Sequence, residues 1–279
     1  MSTSTTPISQ TPPRATIFVH IPKTAGMSLT KTVVEQYKGR VHERMGGNHD
    51  LVALLERPAH DRARIGLITG HLSLENPLSD CDVPSPEILT MIREPISRVI
   101  SLYTYMRRMP GHHLYPLIKE HNLSLADMFT DRFTDKTIEY DNFQTRMLAG
   151  LECTHKHFGA ITEADLQQAL SRVETMGVVV GIQEYFEASI ALYSHQLGWD
   201  ESKITIHQTN TGEELAKKAK RKDSDEYQPT DADLDAIRTH NALDIQLYET
   251  LKDHAISEFT RLNLKGDFPR ATARPSFIP

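Results

Sequence analysis

The chain alternates short, almost continuous apolar runs with longer stretches in which apolar residues recur every three or four positions. The first run, Thr16–Val19, consists of β-branched and aromatic residues and is typical of a strand buried on both faces of a parallel sheet. Pro22 ends this strand. The apolar residues between positions 29 and 37 are four positions apart, and Gly39 stands where a helix end favours a left-handed residue. The pattern therefore predicts a strand, a short loop and a helix.

The same succession of strands and helices continues along the rest of the chain. Further buried strands are predicted at residues 65–69, 88–92 and 177–182. Amphipathic spacing predicts helices at residues 50–57, 95–106, 139–151, 163–176, 184–199 and 241–262. The stretch 40–48 is polar and contains glycine, so we expect it to be a connection. Strands that alternate with helices indicate an α/β protein with a parallel sheet.

The composition limits the kind of protein this can be. The chain has 279 residues, of which 39% are hydrophobic, and this is enough to bury the core of one large domain. Its net charge is −6 and its isoelectric point is near 6.2. Because an acidic surface does not attract nucleic acid or an anionic membrane, we expect neither as a partner. Any cationic site must be local, and the oligomeric state is not predicted.

The two ends of the chain are expected to lie outside the folded domain. Residues 1–14 are rich in Ser, Thr and Pro, so we expect a disordered tail that is neither a signal peptide nor a membrane anchor. The domain is expected to cover residues 15–265, and residues 266–279 are expected to form a C-terminal tail. Cys81 and Cys153 make neither a disulfide framework nor a zinc-binding spacing. We therefore expect free thiols and a cytoplasmic location.

The loop between the first strand and the first helix carries the first chemical signature. Residues 21–26 aim free backbone N–H groups, the positive end of a helix dipole and the ammonium group of Lys23 at one point, which makes a cradle for an anion. Lys23 precedes Gly26 by three residues, so the ATP-binding pattern GxxxxGK[ST] is not met. The loop therefore predicts a different phosphate-bearing ligand.

The string HIPKTAGMSL, at residues 20–29, closely resembles the 5′-phosphosulfate loop of sulfotransferases that use 3′-phosphoadenosine-5′-phosphosulfate (PAPS). The resemblance is to the branch that contains the heparan sulfate and uronyl 2-O-sulfotransferases and many bacterial relatives. It implies a three-layer α/β/α domain with a central parallel sheet and a P-loop-like, nucleotide-binding topology. It also implies that the donor is bound by Lys23, Thr24, Ala25, Gly26, Met27, Ser28 and Leu29.

A second signature follows the third predicted strand, where residues 93–103 read RxPxxRxxSxY. Ligands of open α/β sheets bind beyond the carboxyl ends of the strands, so Arg93 can share a crevice with Lys23. The string is similar to the 3′-phosphate motif of the same family, which implies that Arg93 and Ser101 bind the 3′-phosphate. For Arg98 two readings stay open: contact with the ligand, or a structural ion pair or helix-surface charge.

Weaker similarities concern the acceptor. Asn142, Gln144 and Arg146 resemble an N-x-Q-x-R pattern beside the active cleft of the family, which implies that Gln144 and Arg146 bind the substrate. For Arg146 an exposed helix charge is the alternative. The charged segment 213–225 predicts a mobile surface helix or lid. Its residues 217–222 could close over the 3′-phosphate, although a solvated charge run is the commoner meaning.

The general base is assigned to His71, which follows the second predicted strand and Gly70 directly. It should project from the carboxyl edge of the sheet into the crevice that receives both signatures. A neutral imidazole can take a proton from a hydroxyl group at physiological pH. The Gly-His pair also resembles the position of the catalytic histidine in the 2-O-sulfotransferase branch. His20, expected to pack beneath the loop, and Glu75 are the alternatives.

The resemblance implies a PAPS-dependent sulfotransferase that passes the sulfuryl group in line to a hydroxyl of a carbohydrate or a small metabolite and releases adenosine 3′,5′-bisphosphate. Lys23 and His71 are the expected catalytic residues. No metal is predicted, because the histidines at residues 112–113 and 155–157 lack a further ligand at regular spacing. The alternatives are a P-loop-type small-molecule kinase, which would need the missing GxxxxGK[ST], and a non-catalytic nucleotide-binding module.

Overall fold

A central sheet of parallel strands organises the molecule. The computed structural model describes residues 15–75, 86–130, 133, 136–206 and 227–269, and within them the sheet has five strands in the order β2-β3-β1-β4-β5. The strands are β1 (Thr16–Val19), β2 (Val41–Met45), β3 (Ile65–Gly70), β4 (Glu87–Ile92) and β5 (Val179–Ile182). All four pairings are parallel, and β1 lies between β3 and β4.

Helices connect the strands and continue beyond β5. In chain order they are α1 (Gly26–Val33), α2 (Asn48–Leu55), α3 (Ala59–Arg62), α4 (Pro95–Arg108), α5 (Tyr115–Glu120), α6 (Phe143–Ala149), α7 (Leu151–Thr154), α8 (Glu163–Thr175), α9 (Phe186–Leu197), α10 (Asp231–His240) and α11 (Ala242–Arg261). None of the helices in the described ranges is long and apolar enough to cross a membrane.

The side chains of β1 show that both faces of the sheet are covered. Ile17 and Val19 pack into a cluster with residues of α2, α6, α8 and α11. Phe18 points to the opposite face, because side chains alternate along a strand, and it packs with residues of α1 and α9. A third cluster joins α4, α5 and α10. The expected three-layer α/β/α domain with a central parallel sheet is therefore confirmed.

Two predicted elements were wrong in detail. The stretch 40–48 contains an edge strand, β2, and only Met45 of its five residues is buried, so it lacks the apolar run that marks an inner strand. The helix predicted at 139–151 is divided into a 3₁₀ turn, α6 and α7. The left-handed backbone of Asn142 (φ 43°) and the positive φ of Gly150 (113°) interrupt it.

The domain extends further towards the C-terminus than expected. Phe268 is buried, and its ring lies 5.1 Å from that of Phe259 on α11. The predicted tail at 266–279 is thus wrong for its first residues. The predicted N-terminal tail and the charged segment 213–225 lie outside the described residues, as does Cys81, whereas Cys153 is a buried free thiol.

The carboxyl ends of β1, β3 and β4 define the place of the site. The chain leaves β1 for β2 and β3 on one side and then crosses to β4 on the other side. In open α/β sheets such a reversal opens a crevice beyond the carboxyl ends of the strands, and ligands bind there. The turns after β1, β3 and β4 carry Lys23, His71 and Arg93, respectively.

Candidate functional site

The turn between β1 and α1 is built from its own residues. Lys23 and Ala25 have left-handed backbones, with φ values of 72° and 63°. The Thr24 hydroxyl donates a hydrogen bond to the carbonyl of Ile21 at 2.8 Å, which closes the turn. The first N–H groups of α1, which begins at Gly26, have no partner within the helix, and the helix dipole adds a partial positive charge there. The turn can therefore bind an anion.

One residue of the predicted donor loop does not face the crevice. The Leu29 side chain is fully buried in the core, and its N–H donates to the carbonyl of Ala25 at 3.0 Å. A donor contact by Leu29 was therefore a wrong prediction. The Thr24 side chain is also buried, so Thr24 can offer only its backbone N–H. Met27, in contrast, is 51% exposed.

His20 packs beneath the turn, as expected from the sequence. A Cβ atom at Gly26 would lie 1.9 Å from the His20 ring, so the turn needs glycine at this position to leave room for the imidazole. Burial, followed by the nearby His71 and Lys23, lowers the pKa of His20 to about 3. His20 is thus a neutral, weakly basic group throughout the physiological pH range.

The ammonium group of Lys23 lies 4.4 Å from the centre of the Tyr105 ring, in a cation–π contact. Burial, followed by the nearby Arg93, lowers the pKa of Lys23 to about 8, and Glu139 opposes the shift. The sequence analysis did not single out Tyr105. It stands four residues after Ser101 on α4, on the same helix face, and this spacing could have identified it.

Arg93, at the end of β4, reaches across to the β1–α1 turn. Its Nη1 donates to the carbonyl of Lys23 at 3.2 Å. Its Nε is buried and has no acceptor among the described residues. Burial lowers the pKa of Arg93, while Glu184 and Glu94 oppose the shift. The structure thus brings Lys23 and Arg93 together, and a buried donor of Arg93 lacks a partner among the described residues.

Other residues of the second signature form the start of α4 or lie along it. Glu94 caps α4 by accepting hydrogen bonds from the N–H groups of Ile96 and Ser97, and Pro95 occupies the first turn. Ser101 is partly exposed two turns along α4, and its predicted contact with the 3′-phosphate stays a prediction.

Arg98 is fully buried, so a helix-surface charge is excluded. Its Nη2 donates to the carbonyl of Glu139 at 2.7 Å, and its guanidinium group lies 5.7 Å from the Phe143 ring. These contacts place the side chain inside the domain, while its Nε and Nη1 have no partner among the described residues, so a contact with the ligand stays a prediction.

His71 is held in a defined orientation at the end of β3. Its Nδ1 lies 2.9 Å from the carbonyl oxygen of His20, and the two rings are stacked with centres 4.6 Å apart. A carbonyl oxygen can only accept a hydrogen bond, so Nδ1 must carry the proton. Nε2 then keeps its lone pair, and the exposed His71 ring is available as a base.

An open pocket of about 270 Å³ lies next to His71. Its walls come from α1, from the ends of β2 and β3, and from the turn after β1. The lining residues are His20, Met27, Thr30, Lys31, Arg44, Met45, Thr69, Gly70 and His71. Lys31 and Arg44 are exposed cations, and sequence reasoning missed Arg44 because it did not predict β2.

The two predicted acceptor contacts were wrong, because Gln144 and Arg146 have no exposed surface. Arg146 forms a buried ion pair with Asp141 and donates to the carbonyls of Cys153, Lys156 and His157. The Gln144 side chain binds the backbone of Arg93.

The carboxylate of Glu75, the alternative base, is also engaged in contacts with other residues of the domain. It accepts a hydrogen bond from the N–H of Leu151 and forms an ion pair with Arg172 at 3.3 Å.

Comparison with known proteins assigns no family to this chain. Neither the models of known protein families nor the curated proteins give a match to this chain. Within the described ranges, no group of three or more His, Cys, Asp and Glu side chains is arranged to hold a metal ion.

Proposed function

We propose that the protein is a PAPS-dependent sulfotransferase. The observation that carries the proposal is that three groups lie at the carboxyl edge of the sheet: the ammonium of Lys23, the guanidinium of Arg93, which contacts the Lys23 carbonyl, and the imidazole of His71, which contacts the His20 carbonyl. An anion site and an oriented base at the same sheet edge suit the transfer of an anionic group to a hydroxyl. The resemblance of residues 20–29 and 93–103 to the motifs of this family supports the same function.

The residues present fit the donor. The N–H groups at the start of α1 and the Lys23 ammonium would bind the 5′-phosphosulfate, through Thr24, Ala25, Gly26, Met27 and Ser28 of the turn. Arg93 would bind the 3′-phosphate, because its buried Nε needs an acceptor, and Ser101 would add a hydroxyl group. No residue of this scheme requires a metal ion.

His71 and Lys23 would share the work of the transfer. As the acceptor oxygen forms its bond to sulfur, His71 Nε2 takes the proton of the hydroxyl. The bond between sulfur and the bridging phosphate oxygen breaks, and Lys23 stabilises the negative charge that grows on this oxygen. The products are a sulfate ester and adenosine 3′,5′-bisphosphate, and His71 passes its proton to solvent.

The open pocket beside His71 is the proposed place of the acceptor. Its exposed cations, Lys31 and Arg44, favour an acceptor that carries a negative charge, and Met27 offers an apolar contact. A hydroxyl of a carbohydrate or of a small metabolite would reach Nε2 from this side.

A product screen tests the reaction itself. Purified protein would be incubated with PAPS and with fractions of cell extracts or glycans, and mass spectrometry would search for products about 80 Da heavier, the mass of an added SO₃ group. We expect such products with the wild type and with Lys38→Ala, which removes an exposed lysine outside the site, and far less of them with Lys23→Ala. A parallel incubation with ATP and Mg²⁺ tests the kinase alternative. Phosphorylated products there, without sulfated products from PAPS, would contradict the proposal.

A further inference from the structure

We infer that Gln144 is a positioning residue for Arg93, which sets the direction of this guanidinium and thereby the selectivity of the site for a 3′-phosphate. The inference rests on the proposed function, since it concerns how the same anion site is built. It replaces the acceptor contact that the sequence predicted for Gln144. The relevant geometry lies at the carboxyl end of β4, where Arg93 leaves the sheet.

The Gln144 amide binds both backbone polar groups of Arg93. Its Oε1 accepts from the N–H of Arg93 at 2.9 Å, and its Nε2 donates to the carbonyl of Arg93 at 2.8 Å. Gln144 is fully buried, so water does not compete for these bonds. The two bonds fix the backbone of Arg93 in the way that a neighbouring strand would.

A neighbouring strand is missing at this position. The pairing of β4 with β1 ends at Thr90, and its pairing with β5 ends at Ile92. Arg93 therefore comes one residue after the last ladder pair. Without Gln144 both backbone polar groups of Arg93 would lose these partners, and the direction in which the side chain leaves the sheet would be less well fixed.

Gln144 itself is held by α11. The buried carboxylate of Asp244 accepts from the N–H groups of Gln144 and Thr145, which caps the start of α6. In return, the side-chain oxygen of Asn142 accepts from the N–H groups of Leu243 and Asp244, which caps the start of α11. Because the two helices cap each other, the Gln144 side chain that binds the Arg93 backbone is held in place.

The amide of glutamine suits this task because it carries one acceptor and two donors on the same group. Methionine has a similar length but can neither donate to a carbonyl nor accept well from an N–H. The contact of Asp244 is to the backbone N–H at position 144, which every substitution except proline retains. Gln144→Met should therefore keep the cap of α6 and lose only the two hydrogen bonds to the Arg93 backbone.

Calorimetry with two nucleotides tests the inference. Adenosine 3′,5′-bisphosphate and 5′-AMP differ only in the 3′-phosphate, so the ratio of their dissociation constants reports on Arg93. We expect Gln144→Met to lower the preference for the bisphosphate about tenfold, a part of the roughly 10- to 150-fold cost of losing the charged contact altogether. The affinity for 5′-AMP should stay within about twofold, since the β1–α1 turn is unchanged.

Gln168→Met is the matched control, because the Gln168 amide also donates to a backbone carbonyl, that of Ala149, at 2.6 Å. Gln168→Met should leave the preference for the bisphosphate over 5′-AMP unchanged. In the Arg93→Ala background, Gln144→Met should cause no further loss, because a residue that acts through Arg93 has no effect once Arg93 is gone. Equal preference in the wild type and Gln144→Met, or an additive loss in the double variant, would overturn the inference.

Hydrogen exchange of the unaltered protein gives a second readout that needs no variant. The Arg93 amide should exchange slowly although it lies beyond the sheet ladder. Exchange at the rate of an exposed loop would contradict the hydrogen bond from this amide to Gln144. A wild type that binds neither nucleotide but protects this amide would count against the proposed function alone. A wild type that prefers the bisphosphate but leaves the amide unprotected would count against the positioning role alone.

Discussion

The two turns that carry the cations of the site are held in different ways. The turn between β1 and α1 is closed by a local bond from the Thr24 hydroxyl to the Ile21 carbonyl three positions earlier, and Arg93 adds a contact to the Lys23 carbonyl. The turn between β4 and α4 combines a local cap by Glu94 with a remote contact, since Gln144 stands 51 residues after Arg93, whose backbone it binds. Substitutions within the first turn should therefore disturb it, while the second turn also depends on remote helices.

The difference also separates the proposed tasks of the two turns. Lys23 lies in the locally closed turn, His71 contacts the His20 carbonyl beside it, and both would act on the reacting bonds. Arg93 lies in the turn that Gln144 also holds and would recognise the 3′-phosphate. We therefore expect substitutions of the first group to lower kcat, and substitutions of the second group to lower the affinity for the nucleotide.

The largest effect is expected from His71→Ala, which should lower kcat roughly 10²- to 10⁴-fold because the base is lost. The affinity for adenosine 3′,5′-bisphosphate should stay within a few-fold. Steady-state kinetics and calorimetry measure the two quantities. If His71→Ala keeps most of its turnover while Glu75→Ala or His20→Ala does not, the base is misassigned.

Lys23→Ala comes next and should lower kcat roughly 10²-fold or more, because the charge on the leaving oxygen loses its partner. Single-turnover kinetics at saturating PAPS isolates this step from binding. Lys38→Ala, which removes an exposed lysine outside both the turn and the pocket, is the control and should leave kcat unchanged. An unchanged kcat in Lys23→Ala would remove this lysine from the chemistry.

Gly26→Ala tests whether His20 packs beneath the first turn. The new Cβ would lie 1.9 Å from the His20 ring, so we expect a loss of about 1–3 kcal/mol in the free energy of unfolding. Denaturant titration measures it. Gly111→Ala is the control, because a Cβ at Gly111 would have no neighbour within 4 Å. Equal stability of the two variants would show that His20 is not packed under the turn.

The smallest effect is a pH dependence of nucleotide binding. Lys23 has a pKa of about 8 in the free protein because of burial, and a bound anion should raise this pKa. As pH rises above about 8, the free protein loses the cation, so affinity for the bisphosphate should fall by up to about tenfold per pH unit. Calorimetry between pH 7 and pH 9.5 measures this, and Lys23→Ala should show no such fall.

The same difference between the turns explains how much could be predicted from the sequence. The strand–loop–helix unit around Lys23 and the strands β1, β3, β4 and β5 were predicted, because buried strands and local turns leave contiguous patterns. The strand β2 was not predicted, since only Met45 of its residues is buried. The task of Gln144 could not be predicted either, because its burial depends on α11, about one hundred residues away in the chain.

Calorimetric comparison of adenosine 3′,5′-bisphosphate with 5′-AMP tests the central claim most directly, because the claim requires both turns to bind one nucleotide. We expect the wild type to bind the bisphosphate much more tightly than 5′-AMP or ADP. Arg93→Ala should remove roughly 1.5–3 kcal/mol of the binding free energy of the bisphosphate and leave that of 5′-AMP nearly unchanged. Equal affinities of the wild type for the bisphosphate and for 5′-AMP would contradict the account.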